Sequence, residues 1–290
     1  MTVSVAEKDA VRAAVAEGRR AGRTVALVPT MGALHDGHVS LVRAARKRSD
    51  LVIVSIFVNP TQFGPAEDFE RYPRDLAADL ELLGTVGAGL VFSPQATAMY
   101  PSGPAVTVDP GPLASRWEGA VRPTHFAGVA TVVAKLLGIV RPDIAFFGDK
   151  DFQQLAIVRR LALDLELAVE IVGCPIVRDA DGLALSSRNA FLSAEQRAQA
   201  LGLSAALAAA RAALAGGERS GLALEHMMRE VAGERSDGAL ALDYAAVVDP
   251  ETLEPLPLVD RTARALIAGR VGSTRLIDNC ALVPQGGGAA

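Results

Sequence analysis

The chain is poor in the residues that most often betray chemistry. It holds 290 residues with only two cysteines, Cys174 and Cys280, far apart in sequence. That is too few for a disulfide framework or a thiolate zinc site, and both read as small buried hydrophobes. There is no excess of basic charge either. Lys and Arg number 29 against 33 Asp and Glu, a formal net charge of -4, so no patch is available to neutralise phosphates along a nucleic acid. Long hydrophobic runs are also missing. The longest strongly apolar stretch, LVIVSIFV at residues 51–58, is too short for a membrane span, and the first 18 residues mix acids and bases without the apolar core of a signal peptide. These absences predict a cytoplasmic protein with neither nucleic acid nor membrane as partner. Histidine is scarce as well: there are four, and two of them, His35 and His38, sit three residues apart around Gly37.

Half of the residues are hydrophobic and 21% charged, the balance of a globular enzyme. Short β-branched runs alternate with longer helical patterns. TVALV precedes a helix through residues 38–48, LVIVSIFV precedes one through about 68–84, and LVFSP follows. A helix near 128–140, the strand DIAFF, a helix from Asp151 to about Asp164 and the strand AVEIVG continue the series. Such alternation predicts βαβ units and an α/β fold with a doubly wound, Rossmann-like parallel sheet. After residue 176 the texture turns alanine-rich, opening with a Ser193/Gln196 capping box. Two helices and the strands LDYAAVV, RALIAG and TRLID then suffice for a smaller C-terminal α+β domain. The expected domains are 1–176 and 177–290, with a disordered tail from about 284.

In a right-handed parallel sheet every loop that follows a strand opens at the same edge, where ligands bind. Four polar clusters obey that rule: PTMGALHDGH (29–38), NPTQFG (59–64), GDKDFQQ (148–154) and RDADGLALSSRN (178–189). Gly37 would let the chain turn into a helix, with His38 in its first turn, where unpaired N–H groups and the positive dipole end attract phosphate. Imidazole N–H groups could donate to a triphosphate there, although a histidine can also merely open a helix. Lys150 offers a point charge to phosphates, and Asp151 reads equally as a helix N-cap with Gln154 at N3. Ser186, Ser187 and Arg188 place two hydroxyls and a guanidinium in one loop, an anion-binding set that is also an ordinary solvated turn. Asn59 and Gln62 could read a substrate carboxylate or hydroxyl. Arg122 and His125 fit an anion or a salt-linked loop, while Trp117 and Tyr72 read as packing or lid residues.

Taken in order, PTMGALHDGH, VNPTQFG, DFERYPR, GDKDFQQL and DGLALSSRN resemble the pantoate–β-alanine ligase family over residues 23–280. That family belongs to the His-x-Gly-His nucleotidyltransferases. The resemblance implies an ATP-dependent condensation of (R)-pantoate with β-alanine through a pantoyl-adenylate, releasing AMP and pyrophosphate, on the route to coenzyme A. It also implies ATP as substrate, Mg2+ as its companion and a homodimer. His35, His38, Lys150, Ser186, Ser187 and Arg188 take the catalytic positions. Gln62 and Gln154 correspond to the amides that hold pantoate, with Met31 and Phe63 on its dimethyl group and Asn59, Tyr72 and Arg122 nearby. Pro29, Thr30, Met31, Gly37, Gly148, Lys150, Asp151, Val177 and Leu185 correspond to the nucleotide site. Leu185 replaces the family's usual methionine, a volume-conserving change. Asp75 or Asp79 stands where the family's acidic helix approaches the metal. No cluster offers an activated Ser or Cys nucleophile, so covalent acyl-enzyme chemistry is not expected. A nucleotidylyltransferase of the same superfamily would share the histidines and the serine loop, but the apolar, amide-lined acceptor residues suit a small branched hydroxy acid better. A non-catalytic nucleotide-binding regulator is the remaining alternative.

Overall fold

The computed structural model describes residues 2–65, 67–101 and 106–284. The chain forms two compact units. The first comprises Met1–Ser115, Arg122–Asp149 and Gln154–Ile176, and the second Arg116–Val121, Lys150–Gln153 and Val177–Ala290. A single cut after residue 176 therefore omits two short stretches that belong with the second unit. They are held there by side-chain hydrogen bonds with no local sequence pattern: Trp117 Nε1 donates to the Leu253 carbonyl, Gln153 Nε2 to the Arg116 carbonyl and Asn279 Nδ2 to the Lys150 carbonyl.

The first unit opens with β1 (Val3–Val5), α1 (Lys8–Arg20), β2 (Val25–Thr30), α2 (Asp36–Arg46), β3 (Leu51–Ile56), α3 (Leu76–Val86), β4 (Leu90–Phe92) and the short α4 (Ala96–Met99). The one-turn α5 (Glu118–Val121) lies in the second unit; the first resumes with α6 (His125–Val140), β5 (Ile144–Gly148), most of α7 (Phe152–Asp164) and β6 (Glu170–Cys174). The six strands lie in the order β1-β4-β3-β2-β5-β6, and every described pairing is parallel. Alternate residues of each strand supply two cores. Leu27, Ile53, Phe92 and Phe147 pack with Val11 and Val15 of α1, Val133 and Leu137 of α6 and Val158 of α7. Val28, Val54, Val91 and Phe146 pack with Leu41 and Val42 of α2 and Leu83 of α3. Burial on both faces explains why these strands read as continuous apolar runs.

The chain progresses from β2 outward through β3 to β4, then returns to β5 beside β2. That reversal is the switch point at which doubly wound sheets open a crevice. The helix expected over residues 68–84 starts only at Leu76. Pro73 disfavours helical geometry at Tyr72, and Asp75 provides the cap, its Oδ1 accepting from the Ala78 N–H at 3.0 Å. Strand β1 is too short to carry a pattern, and its pairing to β4 is an addition to the sequence expectation.

The second unit continues with α8 (Ala194–Ala215), α9 (Gly221–Arg235), β7 (Leu240–Val248), β8 (Ala263–Val271) and β9 (Thr274–Leu282), the strands forming an antiparallel sheet in the order β7-β8-β9. The Ser193/Gln196 capping box is present, with Ser193 Oγ accepting from the Gln196 N–H at 3.2 Å and Gln196 Oε1 from the Ser193 N–H at 3.0 Å. Helix α8 is long and apolar enough to cross a membrane by length and composition. Its Leu203, Leu207 and Leu214 instead pack with Met228, Val247 and Ile267 in the core of this unit. The expected disordered tail lies outside the described residues after Pro284.

Candidate active site

Helix α2 begins with a capping box made of two histidines. His35 is the N-cap, and its Nδ1 accepts from the Gly37 N–H at 3.1 Å. His38 is N3, and its Nδ1 accepts from the His35 N–H at 3.3 Å. Ser/Thr with Glu/Gln usually supplies this arrangement. Because each Nδ1 is an acceptor, the proton of each neutral ring must sit on Nε2, which becomes its donor. The ring centroids are 4.2 Å apart. Two Nε2–H donors are thus held side by side at a helix N-terminus following β2, a geometry suited to phosphoryl oxygen.

The loop into that cap is anchored from α3. Buried Asp79 accepts the Ala33 N–H at 3.1 Å through Oδ2 and the Leu34 N–H at 2.8 Å through Oδ1. Both residues before Leu34 are left-handed, Gly32 at φ 83° and Ala33 at φ 50°. Burial pushes the Asp79 carboxyl above its ordinary range, although the two N–H donors oppose this. Asp75 caps α3 and Asp79 holds this loop, and no group of three His, Cys, Asp or Glu side chains that could hold a metal ion occurs among the described residues. Magnesium instead fits as a companion of nucleotide phosphates.

A chain of amides forms a second part of the site. Asn59, 1% exposed, donates from Nδ2 to the Gly128 carbonyl at 3.1 Å, and its Oδ1 accepts from the Thr61 N–H at 3.3 Å. Those backbone partners fix which end of the amide is which. Nδ2 therefore also meets Gln62 Oε1, at 3.2 Å, and Gln62 must turn its Nε2 outward, where it donates to Met31 Sδ at 2.8 Å. Tyr100 OH donates to Asn59 Oδ1 at 3.0 Å. The Gln62 carbonyl is held by Arg122 Nη2 at 3.3 Å and lies 2.9 Å from His125 Nδ1. Arg122 is also paired with Glu67. Burial raises the Glu67 carboxyl, but the hydrogen bond and charge of Arg122 outweigh it and hold it below the ordinary range. Arg122 is thus salt-linked to Glu67, while His125 meets a backbone carbonyl. Phe63 stacks edge-on with Phe69 and with buried Tyr72, at 5.3 and 6.0 Å. Thr30 Oγ1 donates to the Ser55 carbonyl at 2.7 Å, a contact within the sheet.

The first unit therefore collects Pro29, Thr30, Met31, His35, Gly37, His38, Asn59, Gln62, Phe63, Tyr72, Arg122, Gly148 and Gln154. The second collects Lys150, Asp151, Val177, Leu185, Ser186, Ser187 and Arg188. Within the second, the Leu185 N–H donates to the Val177 carbonyl at 3.0 Å, closing a turn over residues 177–185. Ser186 Oγ accepts from the Arg188 N–H at 3.3 Å and caps the short 3-10 helix Ser187–Phe191. Tyr100, Glu67 and Gly128 were not singled out by sequence, and Asp79 was singled out only as a candidate metal contact, not as the anchor of this loop. Gly128, a glycine inside an apolar helix, was the one readable signal.

A doubly wound sheet with histidine donors at a helix start after the central strand defines the class, a nucleotide-using α/β enzyme. A family model described as Pantoate-beta-alanine ligase matches residues 4–281, and the chain belongs to that family. Pantothenate synthetase from Rhizorhabdus wittichii is 54% identical over 276 residues, 95% of this chain and 97% of that protein. The pantothenate synthetase of Geobacter sulfurreducens is 53% identical over 266 residues, 92% and 93% of the two chains. Among solved structures, pantothenate synthetase from Thermus thermophilus superimposes with a TM-score of 0.92 at 47% identity, covering 98% of this chain and all of that one. Pantoate-beta-alanine ligase from Francisella tularensis, complexed with beta-gamma ATP and beta-alanine, does so with a TM-score of 0.80 at 31% identity, covering 97% of each.

Proposed function

We propose that His35 and His38 hold the α-phosphoryl group of ATP while pantoate is activated on it. The chain is an ATP-dependent ligase that condenses (R)-pantoate with β-alanine. A carboxylate does not acylate an amine in water near neutral pH, so it must first become a mixed anhydride. Pantoate's carboxylate oxygen attacks the α-phosphorus and pyrophosphate leaves. The β-alanine amine then attacks the carbonyl carbon, expels AMP and loses a proton to give pantothenate. The catalytic contribution is positioning and charge stabilisation.

The observation that carries this reading is the histidine capping box. With both Nδ1 atoms accepting from the backbone, each Nε2 carries the proton that is donated to charge developing on the phosphoryl oxygens. Gln62 faces pantoate with its NH2 because Asn59 fixes the amide, and Met31 and Phe63 cover the dimethyl group. Gln154 is a second pantoate amide. Lys150, Ser186, Ser187 and Arg188 supply the remaining phosphate donors. Pro29, Thr30, Gly37, Gly148, Asp151, Val177 and Leu185 line the nucleotide. Asn59, Tyr72 and Arg122 act on pantoate through Gln62 and Phe63. Magnesium bound to the phosphates neutralises part of their charge. A cytoplasmic homodimer belongs to the same reading, and sedimentation at micromolar concentration checks the assembly.

Isotope transfer tests the order of bonds. With oxygen-18 in the pantoate carboxylate, one labelled oxygen should appear in AMP, and pyrophosphate should exchange into ATP with pantoate present and β-alanine absent. Unlabelled AMP, or ADP and phosphate as products, would sink the acyl-adenylate route.

A further inference from the structure

The second unit contains an open cleft of about 380 Å3 that the proposed reaction does not use. One face of α8 forms its floor, with Leu201, Ser204, Ala208 and Arg211 spaced so that they share a side of the helix. Arg178 and Asp181 come from the 177–185 turn, Arg235 is the last residue of α9, and Cys280 lies on β9. Charge in the cleft is unbalanced. Arg178 is committed to Asp278, at 2.6 and 2.9 Å. Asp181, the one acid in the lining, is committed to Arg197 at 3.0 Å. Arg211 and Arg235 have no hydrogen-bond or ion-pair partner among the described residues. The positive field reaches the floor. Burial pushes the Cys280 thiol up to about 11, and Arg211, Arg264 and Arg178 oppose that rise.

A volume of this size lies within the range of small-molecule sites, which pair an apolar lining with a few fixed polar groups. Guanidinium groups favour oxyanions because their paired N–H donors match carboxylate and phosphate geometry. We propose that this cleft binds a small organic oxyanion, a carboxylate or phosphate monoester with an apolar body, gripped by Arg211 and Arg235 above Leu201 and Ala208.

Calorimetric titration of the full chain with phenyl phosphate and with benzoate, in saturating ATP and Mg2+, tests this. ATP occupies the nucleotide site and removes it as a source of signal. The expected result is one site per chain for at least one probe, weakened by salt and weakened at least tenfold in Arg211→Ala/Arg235→Ala. ATP affinity and the unfolding temperature of that variant should match the parent. Arg211→Lys, which keeps the charge and loses the fork, should fall between the two. Phenyl phosphate without benzoate would assign the site to phosphate monoesters, and the reverse to carboxylates. No saturable binding of either probe in the millimolar range, or equal binding by parent and double variant, would overturn the proposal.

Discussion

His35 and His38 each do two things with opposite ends of one ring: Nδ1 closes the start of α2, and Nε2 is the donor offered to substrate. The two roles separate experimentally. His35→Ala or His38→Ala removes both, so helix capping should cost about 0.5–2 kcal/mol and kcat should fall about 10²–10³-fold, the loss usual for one transition-state donor. His35→Asn and His38→Gln restore a capping acceptor but cannot reach the phosphate, so each should recover the melting temperature and keep the kinetic defect. Activity within threefold of the parent in a cooperatively melting variant would reduce the histidine to a helix-start residue. The His-x-Gly-His spacing was readable because glycine, histidine and an apolar strand fall together. The anchoring role of Asp79 was not, because its partners are backbone N–H groups 45 and 46 positions away, which leave no trace in composition.

Between elements, the closest approach at the acceptor site is that of α6 to the 3-10 turn Pro60–Gln62. A Cβ on Gly128 would lie 2.3 Å from the Thr61 carbonyl oxygen and 2.7 Å from Gln62 Cα. Gly128→Ala should therefore destabilise by about 1–3 kcal/mol and raise KM for pantoate more than KM for ATP, since Gln62 must move. Equal changes in both constants would uncouple the helix from the acid site. The same turn is braced by Glu67 and Arg122. Glu67 titrates below its ordinary range in the folded chain, so the pair contributes stability in full above that range and loses it as pH falls through the folded value. Glu67→Gln should flatten the acid limb of melting temperature against pH, and superimposable profiles would show that the pair contributes nothing. Sequence located α6 and the NPTQFG loop separately. Their contact, set by tertiary packing, was legible only as an unexplained glycine.

For the whole molecule, the alternation of strands and helices foretold the parallel sheet, and the alanine-rich texture followed by short strands foretold a smaller C-terminal α+β part. The short excursions at 116–121 and 150–153 were hidden, since polar contacts decide them. One such contact is an ion-pair group around a buried carboxylate: Arg275 Nη1 meets Oε1 of buried Glu118 and Arg275 Nε meets Oδ2 of exposed Asp243, both at 2.6 Å. Burial opposes the guanidinium charge, but Glu118 and Asp243 more than restore it. Arg275→Met should destabilise by about 3 kcal/mol, chiefly by stranding the buried Glu118 carboxylate; neutralising it as well, with Glu118→Gln, should recover most of that loss in denaturant titration. The histidine cap has a consequence over evolutionary time. Because the same two rings begin a helix and hold a reacting phosphate, drift that is screened only for folding can pass through asparagine and glutamine unseen. A lineage that obtains its vitamin from outside should lose the imidazoles while its expression level stays unchanged, so a folded, abundant descendant with amides at both positions would record the moment the reaction ceased to matter.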